Sequence, residues 1–305
     1  MEIKKVSLIG LGALGVLFAQ QLSGHLSKDD LRIIADEGRI ARYRRDGIFC
    51  NGERCDFNFV APGEDPGPAD LLMIAVKYNN LNEAIAAVKN HVGPGTVILS
   101  ILNGISSEEI IGRTYGMDKL LLCVAQGMDA VKVGPALTYH NKGVLVFGDR
   151  ESGAFSEKAE AVDRLFTRTG IAHELSPDMK RHQWSKFMFN AGVNQTTAVY
   201  LCDYEGVQNN GPFRDTMIAA MEEVIALAEK EHVRLTREDI GYWLEVLAGL
   251  NPKGKTSMQQ DVEAHRLSEA EMFGGAIAAL SAKHGIAAPV NKQLHDKIKA
   301  LESAY

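Results

Sequence analysis

The chain has 305 residues, of which 46% are hydrophobic and 24% charged, and its formal net charge is -6. That length calls for two domains, and the even mixing of both charge signs leaves no tract too polar to fold. An acidic balance lacks the basic face that phosphate-backbone binding requires, so nucleic acid is excluded as a partner.

Cys50, Cys55, Cys123 and Cys202 form no CxxC pair and no histidine stands at zinc-ligand spacing, so no metal is expected. Cys50 and Cys55 flank NGER and would meet across a hairpin, but scattered reduced thiols in a cytoplasmic protein are the expectation. Lys4 and Lys5 before VSLIGLGALGVLFA imitate a signal peptide, yet no small-x-small cleavage site follows. No apolar run reaches the roughly 18 residues of a membrane span, so no membrane association is expected.

Val6 to Ile9 is an apolar run, GLGALG follows, and Ala13 to Leu22 continues in helix-forming residues. Strand, turn and helix in that order match G-x-G-x-x-G. Gly10 serves the tight turn, Gly12 the approach of a pyrophosphate, and Gly15 the packing of the helix. The whole turn, Gly10, Leu11, Gly12, Ala13, Leu14 and Gly15, is therefore the expected dinucleotide contact. LRIIA at 31–35 predicts a second strand ending in Asp36, 21 residues after Gly15, where an acidic residue holds the adenine ribose. Asp36 favours NAD over NADP by charge repulsion, while Arg39 nearby is able to offset it; Arg42, Arg44 and Arg45 read as a solvated helix face.

DLLMIAVK (70–77), TVILSIL (96–102) and LLLCVA (120–125) are apolar runs separated by helical patterns at 80–91 and 106–115. They predict parallel strands covered on both faces. Lys77 and Asn103 directly follow two of them, where ligands of open α/β sheets bind. Residues 137–148 predict a hairpin around Asn141 to Gly143, and a helix at 156–169 with a strand at 171–175 closes the domain. The boundaries expected are a Rossmann-type dinucleotide-binding domain at 1–177 and an all-helical domain at 178–305, with the active site in the cleft between the two.

The second half reads as helices at 179–200, 213–232, 236–249, 256–266, 268–284 and 290–303. Within QWSKFMFNAGVNQTTAVY (183–200), Lys186, Asn190 and Asn194 recur every four residues. At about 100° per residue each step advances the helix by only about 40°, so the three form one polar stripe amid apolar neighbours. Buried amides without partners cost several kcal/mol, so the stripe faces solvent, a satisfied network or a ligand. Ser257 and Asp261 share a helix face, and Ser268 with Glu271 fits S-x-x-E, placing Glu269 in a first helical turn. In 213–232, Met217, Met221, Val224 and Leu227 serve equally as internal core or as a homodimer interface.

These motifs, GLGALG (10–15), AVK (75–77), LNG (102–104), WSKFMFNAGVN (184–194), SMQQD (257–261) and SEAEMFGG (268–275) before HGIAAPVN, resemble the ketopantoate reductase (2-dehydropantoate 2-reductase) family. The resemblance covers nearly the whole chain. It implies NADPH-dependent reduction of ketopantoate, a small 2-oxo acid, to pantoate on the route to pantothenate and coenzyme A. By the same resemblance Lys186 matches the catalytic lysine and Asn190 and Asn194 the substrate-side asparagines. Ser257 and Glu269 match the substrate-contacting serine and glutamate, Asn103 the asparagine beside nicotinamide and substrate, and Lys77 a cofactor-side lysine. Asp36 stands where many members carry an arginine, so NAD(H) competes with NADP(H) as the expected cofactor. Leu102 and Gln195 also depart from the family pattern, which keeps a paralogue acting on another 2-oxo acid in view. A β-hydroxyacid dehydrogenase shares the Lys and Asn spacing but has a glycine-rich stretch before the lysine, and MKRHQWSK contains none. A dinucleotide-sensing module without turnover is the non-enzymatic alternative.

Overall fold

Alternation within apolar strands sets the first half of the fold. β1 (Val6–Ile9), α1 (Ala13–Ser23), β2 (Leu31–Ile34) and α2 (Glu37–Asp46) open the chain; β3 (Phe49–Cys50), β4 (Glu53–Arg54) and β5 (Asn58–Val60) follow. Next come β6 (Leu71–Ile74), α3 (Leu81–Ala87), β7 (Val97–Ser100), α4 (Ser107–Tyr115) and β8 (Leu120–Met128). β9 (Val131–Val133), β10 (Ala136–Thr138), β11 (Lys142–Gly148), α5 (Glu157–Thr169) and β12 (His173–Leu175) complete this part. The computed structural model describes all 305 residues. They divide into two compact units, 1–103 with 107–180, and 104–106 with 181–305.

The main sheet of the first unit runs β12-β11-β8-β7-β6-β1-β2-β5. From β8 to β5 every neighbouring pair is parallel, whereas β11 lies antiparallel to β8. Val6, Leu8, Leu71, Met73, Val97 and Leu99 turn to one face, with Phe18 and Leu22 of α1 and Leu165 and Phe166 of α5. Ile9, Leu72, Ile74 and Ile98 turn to the other face, with Leu81 and Ile85 of α3 and Ile111 of α4. Two covered faces are why these strands read as continuous apolar runs. Polar groups inside the sheet are paired: the Ser7 hydroxyl lies 2.8 Å from His91 Nδ1, and Arg32 donates to the Gly67 carbonyl at 2.7 Å.

The hairpin predicted over 137–148 does not form. Its first run, β10, pairs with β9 and β3 in a separate four-stranded sheet, and its second, β11, pairs with β8. β8 extends to Met128 and offers β11 a register from Met128↔Lys142 to Leu122↔Gly148. That longer pairing wins over a hairpin. The Asp129 carboxylate closes the excursion by accepting the His140 and Asn141 backbone N–H groups at 2.9 and 2.7 Å. β3 and β4 do form the short NGER hairpin, and Cys50 and Cys55 are buried free thiols beside it. Burial, then the neighbouring Cys50 and Glu53, push the Cys55 thiol up to about 12, so it stays protonated.

The second unit contains α6 (Met179–Tyr200), of which residues 181–200 belong here, α7 (Tyr204–Gln208), α8 (Pro212–Lys230), α9 (Arg237–Ala248) and α10 (Ser257–Glu263). A π turn at Glu271–Gly275, α11 (Ala276–His284) and α12 (Pro289–Glu302) end the chain. α7 has only five residues, too few for a readable period. α6 is buried nearly all round by Trp184, Phe187, Met188, Phe189, Ala191 and Val193. At Gly192 an added Cβ would come within 2.6 Å of Met221 Cγ and 2.9 Å of the Met217 carbonyl oxygen, so α8 crosses α6 at backbone distance. Met217, Met221, Val224 and Leu227 are accordingly fully buried internal core. No helix is long and apolar enough to cross a membrane.

Candidate functional site

In the first unit the sheet order lines up four sequence-predicted residues. β7, β6, β1 and β2 are consecutive parallel neighbours, and their carboxyl ends lead into Asn103, Lys77, Gly10 and Asp36. Three inter-strand spacings of about 4.8 Å make this a row roughly 14 Å long on one edge of the sheet.

The glycine turn has two structural glycines and one that the protein does not need. Gly10 sits at φ +97°, and a Cβ there would meet the Ala75 carbonyl carbon and oxygen at 2.7 Å. A Cβ on Gly15 would overlap the Gly10 carbonyl oxygen. Gly12, by contrast, has φ -70° and no protein atom nearer than 3.9 Å to an added Cβ. No contact within the protein requires it to be small. Gly12 is also the N-cap of α1, where no side chain accepts a hydrogen bond from the first turn and no acidic residue stands in it. The leading N–H groups and the positive helix end suit a pyrophosphate.

Asp36 caps α2 by accepting the Arg39 N–H at 2.8 Å, and its carboxylate lies 3.3 Å from Arg39 Nε. The side chain remains about half exposed, at 51%. Lys77 is exposed at the head of a short 3-10 turn, Tyr78–Asn80. Arg42, Arg44 and Arg45 are exposed along α2, as expected of a solvated face.

In the second unit Lys186, Asn190 and Asn194 lie along α6. Lys186 is half-buried, while Asn190 and Asn194 are 8% and 7% exposed. Neither asparagine side chain hydrogen-bonds to the protein, and neither has its polar atoms sealed off from solvent. Two amides on an otherwise buried helix thus keep their tips open, to water or to a ligand. Gln195, one residue on, differs: it is fully buried and donates to the Ala191 carbonyl and to Asn291 Oδ1, both at 2.9 Å. Its departure from the family pattern ties α6 to α12 and does not touch the stripe.

Neighbouring side chains hold the stripe in register. Trp243 Nε1 donates to the Ser185 hydroxyl at 2.8 Å, and the Trp243 ring stacks on Phe189 with centroids 4.6 Å apart. The Thr197 hydroxyl donates to the Val193 carbonyl at 2.9 Å and lies 2.8 Å from Thr256 Oγ1. With its own proton committed, Thr197 accepts from Thr256. Thr256 in turn caps α10 through the Gln259 N–H at 3.2 Å. Ser257, exposed at the first position of α10, is thereby fixed with respect to Asn194. Asp261 is buried on the same helix and paired with Arg266 Nε at 2.9 Å. Phe187 stacks on Phe273, centroids 6.2 Å apart, and so links the stripe to the π turn after Glu269.

The capping box expected at Ser268 and Glu271 is replaced. Ala270 is the N-cap of the π turn without a side-chain bond, and Glu269 precedes the turn. The Ser268 N–H and hydroxyl go to Glu302 Oε1 at 2.8 and 2.6 Å, and Glu271 lies near Lys299 and His295 at 3.3 and 3.4 Å. Thr197, Thr256 and Glu302 escape a reading by local pattern because their partners are 34 to 59 residues away.

Two family models match the chain: Ketopantoate reductase PanE/ApbA over residues 6–152 and Ketopantoate reductase PanE/ApbA C terminal over 178–302. A 2-dehydropantoate 2-reductase of Aquifex aeolicus is 25% identical over 307 residues, covering 98% of this chain and 97% of its own. Among solved structures, D-mandelate dehydrogenase with NADH and anilino(oxo)acetate superposes with a TM-score of 0.87 at 20% identity, covering 98% of both chains. A PanE/ApbA family ketopantoate reductase from Ralstonia eutropha JMP134 gives 0.83 at 22%, covering 98% of this chain and 99% of the other. These two likenesses carry the fold: a Rossmann-type α/β domain followed by a helical one.

Proposed function

The chain belongs to the ketopantoate reductase family, and from that premise we propose that it reduces 2-dehydropantoate to pantoate using NADH in preference to NADPH. The observation that carries the reading is the pair of open amides, Asn190 and Asn194, in line with Lys186 on a helix that is otherwise core. A sensing module needs the glycine turn but gives no reason for that stripe.

The reduced dinucleotide supplies a hydride when bound. The N–H groups at the start of α1 would hold its pyrophosphate beside Gly12, and Asp36 would accept from the ribose hydroxyls. A 2'-phosphate there meets the Asp36 charge, while Arg39 is already engaged with that carboxylate at 3.3 Å. Lys186 Nζ stabilises the negative charge growing on the substrate carbonyl oxygen and gives it a proton. Asn190, Asn194 and Ser257 hold the substrate carboxylate and carbonyl. Glu269 accepts from the substrate hydroxyl.

Absorbance of the reduced nicotinamide, followed with 2-dehydropantoate and a panel of 2-oxo acids, tests this directly. The expected result is the highest kcat/KM for 2-dehydropantoate with NADH. Faster turnover of another 2-oxo acid would identify a paralogue, the reading that Leu102, buried before Asn103, favours. Binding of NADH without turnover of any acid would overturn the enzymatic reading.

A further inference from the structure

We propose that Glu302, in the last turn of α12, is a positioning residue that sets Glu269 for the substrate hydroxyl. The proposal rests on the substrate role given to Glu269 above. Glu302 is a buried carboxylate, 7% exposed, and its bonding is filled from two directions. Oε1 accepts both the N–H and the hydroxyl of Ser268, at 2.8 and 2.6 Å, and Oε2 lies 3.2 Å from Lys299 Nζ. Two charge-assisted hydrogen bonds to one residue fix both its backbone and its side chain. That residue immediately precedes Glu269.

On the other side, the Glu269 carbonyl accepts the Met272 N–H at 3.0 Å, which starts the π turn. A π turn is wider than an α turn and is stable only where its surroundings enforce it. Here α12 enforces it with one stripe. His295, Lys299 and Glu302 stand at spacings of four and three residues on that helix. An added Cβ on Gly274 would come within 2.5 Å of His295 Cβ, Lys299 lies 3.3 Å from Glu271, and Glu302 holds Ser268. Glu269 is therefore held on both sides, through the preceding Ser268 and through its own carbonyl. Breaking the Glu302 anchor removes the shared acceptor of two buried donors and loosens the segment before the turn.

The experiment compares 2-dehydropantoate with trimethylpyruvate, the same 2-oxo acid without the hydroxyl, in the full-length variants E302A, E302Q, E269A and E302A/E269A. In E302A, kcat/KM is expected to fall about 10-fold further for 2-dehydropantoate than for trimethylpyruvate, the scale of coupling between interacting residues. E302Q keeps an acceptor for both Ser268 donors and is expected to recover most of that difference. On the E269A background, adding E302A is expected to change the ratio between the two substrates by less than about 2-fold. An equal loss for both substrates, or an undiminished effect of E302A on that background, would overturn the proposal. E269A with the parent's kinetics would overturn the Glu269 assignment itself, and the proposal with it, and this shows in the single variant alone. Should E302A fail to fold, S268A removes one of the two donors and carries the same arms.

Discussion

Substituting alanine at Gly12 and at Gly15 separates a glycine kept for a ligand from one kept for the fold. At Gly12 the backbone, φ -70° and ψ -163°, is open to any residue, and the new Cβ stays 3.9 Å from the nearest protein atom. The only intrinsic penalty is that of alanine at an N-cap, roughly 0.5 to 1 kcal/mol, which in a chain of this size lowers Tm by about 2 to 4 °C at most. The added methyl nevertheless stands at the mouth of the turn, where a pyrophosphate must approach the helix N–H groups. Dinucleotide affinity should drop at least about 10-fold, or about 1.4 kcal/mol. At Gly15 the methyl overlaps the Gly10 carbonyl oxygen, so α1 must shift away from the turn. Overpacking of this kind costs about 1 to 3 kcal/mol or more, and both affinity and Tm should fall. Calorimetric titration with NADH and a thermal melt give both readouts. Parent-like NADH affinity in Gly12→Ala would refute the assignment of the turn to the pyrophosphate.

Lys186→Ala should lower kcat by at least ~100-fold while the dissociation constant for NADH stays near the parent's; undiminished turnover would remove Lys186 as the proton donor. Asp36→Ser keeps a side-chain cap on α2 but removes the charge, so the ratio of kcat/KM for NADPH over NADH should rise about 10-fold, and an unchanged ratio would show that Asp36 does not meet the ribose. His91, fully buried against Ser7, has its pKa pushed down from 6.5 to about 4 by burial and then by the Arg32 charge. The unfolded chain takes up that proton below pH 6.5 while the folded one refuses it until about pH 4, so stability falls as pH is lowered through this window. The loss is at most about 3 kcal/mol. Denaturant midpoints should show a flatter pH profile in His91→Asn, and identical slopes in the two proteins would refute the cause.

How far the fold was legible depends on whether an element carries a period long enough to read. β1, β2, β6 and β7 are legible because both faces of each are covered, and α6 (Met179–Tyr200) is legible because apolar residues such as Trp184, Phe187, Met188 and Ala191 recur at helical spacing. The two- and three-residue strands β3, β4, β9 and β10 carry no period, and local alternation over 137–148 does not reveal that β8 offers β11 a longer register. The glycine turn, Asp36, Lys77 and Asn103 were legible because each directly follows a readable strand. The π turn and its anchor on α12 were not, since Glu302 meets Ser268 across 34 positions and looks locally like any helix-end carboxylate.

A polar or small residue informs about function only after the fold's own demands on it are subtracted. Gly10 and Gly15 match the dinucleotide pattern as well as Gly12 does, yet Ala75 and the turn itself account for both. Gln195 sits beside Asn194 and departs from the family pattern, yet Asn291 accounts for it. What survives the subtraction is Gly12, whose missing side chain no protein atom requires, and the amides of Asn190 and Asn194, which no protein group satisfies. An amide whose tip reaches solvent and that no protein group satisfies adds no hydrogen bond to the fold, and its partner is water or a group from outside the chain. Replacing Asn190 or Asn194 by leucine should therefore leave the fold as stable as the parent or more so while removing substrate binding. That pairing of effects is what a structural role, like that of Gln195, does not produce.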